Sequence, residues 1–170
     1  MKPGLVALAL FVFLIAVSSA RAESGRSDRL TEIVTTVAGR TVDVSCETRG
    51  LVWKREVQSA HLAAGAVAYY DPELDLIRFG PLICKDLLTL RQGASLSSVR
   101  GLFIVAHEAA HASGVDNEGT ANCWGLYWAQ NLARRFNGVR FFTPASRRVL
   151  ALAKQIHRGA PPNYQRSCPV

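Results

Sequence analysis

The sequence predicts an α+β fold, because strand-like segments come first and helical patterns dominate the rest of the chain. Residues 41–46 alternate between polar and apolar side chains, as a strand does. Residues 66–70 and 74–79 flank the turn sequence Asp71-Pro72-Glu73 and are typical of a hairpin. We therefore expect a small antiparallel sheet followed by a mostly helical part.

The elements before the main helices follow from local signals. Residues 28–37 have helical apolar spacing after the capping residue Ser27, and this helix should end near Gly39. Residues 51–60 are ambiguous, and a further strand is one interpretation. Pro81 can open a short helix that runs through residue 90, since proline suits the first helical position.

Three longer helices should follow. Residues 95–98 offer serine caps for a strongly apolar helix, which Gly114 should end. Asp116 can then cap a second helix over residues 117–136, closed by Gly138. Thr143 and Pro144 open a last helix that reaches about residue 157.

The first twenty-two residues have the pattern of a secretory signal peptide. Lys2 precedes an apolar run over residues 5–17, and Ala20-Arg21-Ala22 supplies small residues at the spacing of a cleavage site. The run is shorter than the roughly 18 apolar residues that a spanning helix needs. We expect cleavage after Ala22, a secreted or periplasmic protein without stable membrane insertion, and a single domain over residues 23–170.

The charge of the chain predicts a positively charged, soluble surface. The formal net charge is +7, and removing Lys2 and Arg21 lowers it to +5. Basic residues are scattered along the chain and are not interleaved with aromatic ones along a single helix, so we expect no nucleic-acid binding. Attraction to an acidic envelope or an acidic substrate stays open.

Four cysteines lie in the predicted mature part, and an even count in an exported chain indicates disulfides. None is spaced as C-x-x-C, which argues against a cysteine-bound metal. The sequence does not separate the three possible pairings. We favour Cys46 with Cys84, which would tie a strand to the helix after the sheet, and Cys123 with Cys168, which would pin the C-terminal tail onto the helix after Gly114.

The strongest functional pattern is His107-Glu108-Ala109-Ala110-His111, an HExxH motif at the end of the apolar helix. Positions four apart share a helix face, so His107 and His111 can aim two imidazole nitrogens at one point. Glu108 would lie beside them as the general base that activates a water molecule. A hydrolytic zinc site uses three protein ligands and one water, so one more ligand is needed.

Three neighbouring residues compete for the place of third ligand. Glu118, seven positions after His111, ranks first. Asp116 ranks second because it suits a helix cap better, and Asn117 third because an amide is a poor zinc ligand. Asn117 stands where the extended motif HExxHxxGxxH of metzincins has its third histidine, and Met1 is the only methionine, so a Met-turn is excluded from the mature protein.

The stretch Glu118-Gly119-Thr120-Ala121-Asn122 resembles the glutamate-ligand helix of gluzincins, the thermolysin-like zinc peptidases. It is also similar to the E-x-x-A-N stretch of small bacterial metallopeptidases that act on repressors, and to the compact minigluzincin pattern. The resemblance covers residues 107–128. It implies a zincin-like fold, one Zn2+ per chain held by His107, His111 and Glu118, and Glu108 as base. Asn122 would take the place where thermolysin-like enzymes have an aspartate behind the metal ligands.

We therefore expect an exported zinc metallopeptidase acting on a peptide or protein substrate. The alternatives are a secreted domain in which zinc is purely structural, and a zinc-dependent amide or ester hydrolase. In peptidases of this type an edge strand holds the substrate, and residues 74–79 could do so by β-addition. Four residues could donate a hydrogen bond to a transition-state oxyanion, with no signal that selects among them: Tyr69, Tyr70, His157 and Tyr164. Cleavage specificity and oligomeric state are not predicted.

Overall fold

The computed structural model describes residues 28–88 and 94–168. This part of the chain contains six α-helices and a three-stranded sheet, which confirms the α+β class. The predicted signal peptide, Ser27 and the end of the predicted helix 81–90 lie outside the described residues. In chain order the elements are α1 (28–38), β1 (Asp43–Cys46), α2 (Gly50–Ser59), β2 (Ala68–Asp71), β3 (Leu76–Phe79), α3 (Pro81–Leu88), α4 (Leu96–Ala112), α5 (Glu118–Asn137), α6 (Pro144–Gly159) and a 3-10 turn (Pro162–Tyr164).

The sheet is mixed, so the expectation of an antiparallel sheet is only half right. Its strand order is β1-β3-β2, and β2 and β3 form the predicted antiparallel hairpin. β1 runs parallel to β3, with Asp43 opposite Leu76. The reason is that α2 carries the chain across the sheet before the hairpin, so that β3 returns in the direction of β1.

Residues 51–60 do not form a further strand, because Gly50–Ser59 is helix α2. Trp53 and Val57 are its buried residues, and their spacing of four places both on one helical face. The indole nitrogen of Trp53 donates a hydrogen bond to the carbonyl of Ala66 at 2.9 Å. This contact anchors α2 to the start of the hairpin.

Helix α4 is the centre of the fold. Twelve of its 17 residues are buried, which fits a helix enclosed by α3, α5, α6 and the sheet. The predicted cap is confirmed: the side chain of Ser95 accepts a hydrogen bond from the backbone N–H of Ser98. A rigid, buried helix is therefore what presents the HExxH motif.

Helices α4 and α5 approach each other closely at Gly125. A Cβ atom added there would lie 2.8 Å from Cε1 of Phe103 and 2.9 Å from its backbone oxygen. No side chain fits at this distance, so glycine is what permits the helices to pack at their observed separation. That separation also fixes how far the start of α5 lies from the histidines of α4.

Both favoured disulfides are confirmed. Cys46 of β1 is bonded to Cys84 of α3, and Cys123 of α5 is bonded to Cys168 in the C-terminal segment. Two disulfides fit an extracellular location, because such bonds persist in oxidising compartments. Among the residues that the structure describes, no helix has the length and apolar character needed to cross a membrane.

Candidate metal centre

The two histidines of α4 point their outer nitrogens at each other across one helical turn. The Nε2 atoms of His107 and His111 lie 3.2 Å apart, and the two rings are nearly perpendicular with centroids 4.8 Å apart. His107 is buried and His111 is half-buried. The predicted pairing of the two imidazoles on one face is therefore present in the fold.

Glu118 joins the two histidines from the first residue of α5. Gly114 has a φ of +89°, a conformation that favours glycine and lets the chain reverse directly after α4. The Oε2 atom of Glu118 lies 3.1 Å from Nε2 of His107 and 3.5 Å from Nε2 of His111. The three donor atoms thus form a triangle whose sides are close to the edge of a zinc tetrahedron, about 3.4 Å for bonds of about 2.05 Å.

The hydrogen bonds behind the rings determine which nitrogens face this triangle. Nδ1 of His107 lies 2.9 Å from the Oδ1 atom of Asn122, and Nδ1 of His111 lies 2.6 Å from the carbonyl of Val115. Both partners accept hydrogen bonds, so in the neutral imidazoles the proton lies on Nδ1 and the Nε2 atoms present lone pairs. The Nδ2 atom of Asn122 donates to the carbonyl of Tyr164 at 3.0 Å, which fixes the orientation of the amide.

Three lone-pair donors that face one point repel each other unless a cation lies between them. The Oε2 atom of Glu118 is buried and has no aligned hydrogen-bond donor among the described residues, even though His107 is close. Burial alone would lower the pKa of His107, but the nearby Glu118 and Glu108 carboxylates together with Asn122 more than offset it, and the pKa is raised. Contact with His107 in turn lowers the pKa of Glu118. The raised pKa of His107 and the lowered pKa of Glu118 both mean that a positive charge is stabilised between their facing atoms.

A metal ion could be held by this group of residues. His107, Glu108 and His111 each offer a ligand atom, and these atoms lie within 4.8 Å of one another. The Oε2 atom of Glu118 lies 3.1 and 3.5 Å from the two Nε2 atoms, which is less than this 4.8 Å. Two carboxylates, those of Glu108 and Glu118, thus lie beside the histidines. Glu108 is buried, whereas the side chain of Glu118 is partly exposed.

Glu108 is enclosed by protein and held by the sheet. Its side chain is buried, and the backbone of Tyr70 in β2 lies close enough to the carboxylate to lower its pKa slightly. Burial raises the pKa of the Glu108 carboxyl to about 7, against the opposing effect of His107. Glu108 is consequently able to exchange a proton near neutral pH.

The strand that borders the site is β2, and the expectation that residues 74–79 provide the edge strand is wrong. β3 lies between β1 and β2, so both of its edges are occupied. The carbonyl of Val67 accepts a hydrogen bond from Gly80, and because bonded pairs alternate along an antiparallel ladder, Ala68 and Tyr70 turn their backbone groups away from β3. This outer edge of β2 faces α4.

Tyr164 stands out among the four candidates for an oxyanion donor. Its ring stacks on His107 with centroids 5.9 Å apart and an interplanar angle of 16°. Burial raises the pKa of its phenol, and the charges of Glu118 and Glu108 raise it further. The hydroxyl therefore stays protonated at neutral pH and is able to donate.

The other three candidates are engaged elsewhere. The hydroxyl of Tyr69 donates to Glu56, that of Tyr70 donates to Asp75, and Nε2 of His157 lies 3.0 Å from the carbonyl of Arg166. The sequence did carry a signal for Tyr164. It lies four residues before Cys168, and the favoured disulfide already placed that tail against α5.

The rival third ligands have other roles. Asn117 caps α5, because its side chain accepts a hydrogen bond from the backbone N–H of Thr120 at 2.9 Å. The prediction that Asp116 is the cap is therefore wrong, and Asp116 is exposed. Neither residue is among those that converge on the two imidazoles.

Comparison with known proteins gives no relative from which a function could be transferred. Neither a known protein family, nor a curated protein sequence, nor a solved structure matches the chain.

Proposed function

We propose that the protein is an exported zinc-dependent metallopeptidase of the gluzincin-like kind, which hydrolyses peptide bonds in a peptide or protein substrate. The observation that carries this proposal is the convergence of two Nε2 lone pairs and one carboxylate oxygen within 3.1–3.5 Å of each other. A second carboxylate, that of Glu108, lies beside them on the same helix, next to a strand edge.

The donor set suits zinc better than the hard cations. Two imidazoles and one carboxylate are a common set of protein ligands in catalytic zinc sites, whereas magnesium and calcium prefer oxygen ligands alone. His107, His111 and Glu118 would hold the ion. Zinc would supply a Lewis acid that polarises a carbonyl and makes water a stronger nucleophile at neutral pH.

Glu108 would move the proton in this reaction. Its carboxylate takes a proton from the attacking water as the new carbon–oxygen bond forms, and gives it to the leaving amine nitrogen as the carbon–nitrogen bond breaks. The backbone N–H of Tyr70, which lies near this carboxylate, would help to hold it in place between these steps. A divalent cation nearby favours the ionised carboxylate, which is the form that accepts the proton.

The edge of β2 would orient the substrate. Ala68 and Tyr70 direct their N–H and carbonyl groups away from β3, and the N–H of Tyr70 lies near Glu108. These groups can pair with an extended peptide by β-addition, which binds main chain whatever the side chains are. The Tyr164 hydroxyl would donate a hydrogen bond to the oxyanion that develops at the carbonyl.

Solvent access argues against a purely structural metal site. A structural zinc ion is closed off by four protein ligands, whereas a catalytic one keeps a position for water or substrate. The side chain of Glu118 is 38% exposed although its Oε2 atom is buried, so the candidate site lies close to the protein surface. The strand edge beside Glu108 favours a peptide over other amides and esters, because backbone pairing needs a peptide.

The test is metal content together with peptide cleavage, on protein purified after export. Elemental analysis of the parent should give near one zinc per chain, with clear loss in His111→Ala and Glu118→Ala. Glu108→Gln should keep its zinc but cleave a mixed peptide library on the order of 10² to 10⁴ times more slowly, since it lacks the base.

Asp116→Ala is the matched control, because it removes an exposed carboxylate two residues before Glu118 and should change neither zinc content nor cleavage. Zinc retained in Glu118→Ala but lost in Glu108→Gln would mean that Glu108 is the ligand and that Glu118 is not. A zinc-loaded parent that cleaves no peptide would leave the structural alternative. A parent that binds no zinc even after reconstitution would overturn the proposal.

A further inference from the structure

The charges of the chain are divided unevenly between its two parts. Residues 1–118 contain twelve Lys or Arg residues and all thirteen Asp and Glu residues, whereas residues 119–170 contain eight Lys or Arg residues and no acidic residue. The positive net charge therefore originates in α5, α6 and the segments beside them. An asymmetry of this kind is typical of a protein that meets an anionic partner.

Two adjacent phenylalanines protrude from the turn between α5 and α6. Phe142 is 95% exposed and Phe141 is 43% exposed. Phe142 also has a φ of +60°, a left-handed conformation that residues with a β-carbon seldom adopt. A large apolar side chain held outward in this way is costly in water and gains when an apolar phase covers it.

One arginine lies over a ring, and three more lie within six residues of Phe142 along the chain. The guanidinium of Arg134 lies over the ring of Phe141, 4.8 Å from its centroid. Arg140, Arg147 and Arg148 are exposed, and their side chains make no ion pair or hydrogen bond with any described residue. We call Phe141 and Phe142 with these three arginines the basic aromatic turn.

An anionic bilayer can bind both the arginines and the phenylalanines of this surface. Lipid headgroups attract the arginines, and the region just beneath them receives aromatic side chains. A nucleic acid fits less well, because single strands bind in grooves where aromatic rings stack on successive bases. A ring that is 95% exposed lines no groove, and the two rings are tilted by 47° to each other.

We propose that the basic aromatic turn is a peripheral docking surface for membranes that contain anionic lipids. Contact through a turn requires no spanning helix and agrees with the lack of one among the described residues. The turn follows the end of α5 opposite to Glu118, and a helix of 20 residues is about 30 Å long. The metal centre therefore stays accessible when the turn is docked.

The test is co-sedimentation of the protein with vesicles of phosphatidylglycerol and phosphatidylcholine in equal parts, beside vesicles of phosphatidylcholine alone. The protein is purified after export and its N-terminus is read by mass spectrometry, so that the apolar run at residues 5–17 cannot contribute. We expect binding to the anionic vesicles only. Phe142→Ser should weaken it on the order of tenfold, and each of Arg140→Gln, Arg147→Gln and Arg148→Gln roughly fivefold.

Leu51→Ser and Arg55→Gln on α2 are the matched controls, because they remove one exposed apolar and one exposed basic side chain from another face and should change nothing. Circular dichroism checks that each variant is folded. Absence of binding to anionic vesicles, or binding that Phe142→Ser leaves unchanged, overturns the proposal. Equally tight binding to single-stranded DNA that Phe142→Ser does not weaken overturns it too, and shows a general polyanion site.

Discussion

The two ends of α5 each bury one asparagine, and the two asparagines differ in what their amides do. Asn122, near the start of the helix, is 4% exposed, and Asn137, at its end, is 2% exposed. The amide of Asn122 bonds to His107 on one side and to the carbonyl of Tyr164 on the other. Both polar atoms of the Asn137 side chain lack a partner among the described residues.

The comparison shows that a buried amide can orient its neighbours only where it is hydrogen-bonded to them. A buried amide with two bonds orients a ring and fixes its tautomer, whereas a buried amide without bonds only costs stability. Near the start of α5, beside the candidate metal centre, the amide of Asn122 is accordingly hydrogen-bonded on both sides. The other end carries its interaction chemistry outside, on the basic aromatic turn.

The largest effect is expected from substituting the two asparagines with the isosteric leucine. Asn122→Leu should weaken zinc binding by about 10- to 100-fold, because His107 loses the bond that orients it. Asn137→Leu should leave zinc binding unchanged and keep or raise the free energy of unfolding, since no hydrogen bond is lost. Competition with a chromophoric chelator measures the first, and denaturant unfolding the second. Equal zinc affinity in both variants would mean that Asn122 does not orient His107 for metal binding.

A second test concerns the spacing between α4 and α5. Gly125→Ala should lower the free energy of unfolding by about 1–3 kcal/mol, because the added Cβ would meet both the ring and the backbone oxygen of Phe103. Zinc affinity should fall as well, since the same spacing separates Glu118 from His107. Gly159→Ala at the end of α6 is the control, because its Cβ would meet nothing within 4 Å. A Gly125→Ala protein with unchanged thermal unfolding would contradict the close packing.

The sequence predicts the helical part well because its signals are local. Ser95 as a cap, Gly114 as the break and Gly138 as the left-handed end are each decided by the neighbouring backbone. The HExxH spacing likewise brings His107 and His111 together within one helix. Glu118 needed only a short reversal to join them, so much of the candidate site could be predicted.

The parts that were missed depend on contacts between distant segments. The crossover through α2 decides that β1 pairs with β3 and not with β2. The sequence of one strand does not indicate which strand lies beside it. The choice of Asn117 over Asp116 as cap is a shift of one residue, which two equally suitable side chains do not resolve. Tyr164 reaches His107 because a disulfide, Asn122 and other contacts of the C-terminal segment hold it across the site.

The smallest effect is expected from the ion pair that fastens the site end of α4. Arg40 binds Asp75 of the hairpin and donates to the carbonyl of Ala112, one residue after His111. The Arg40 guanidinium lowers the pKa of Asp75 to about 2. A carboxyl with a depressed pKa stabilises the fold above its unfolded-state pKa of about 3.9, and this contribution is lost as the pH falls through about 2.

Asp75→Asn should therefore lower stability slightly at neutral pH and reduce the loss of stability between about pH 4 and pH 2. Thermal unfolding over that pH range measures the effect, with Glu73→Gln on the same turn as control. The pair is exposed, so salt should shrink the difference between Asp75→Asn and the parent. Parallel pH curves for the two proteins would mean that Arg40 holds α4 through its bond to Ala112 alone, and that the site end of the fold does not depend on this surface charge.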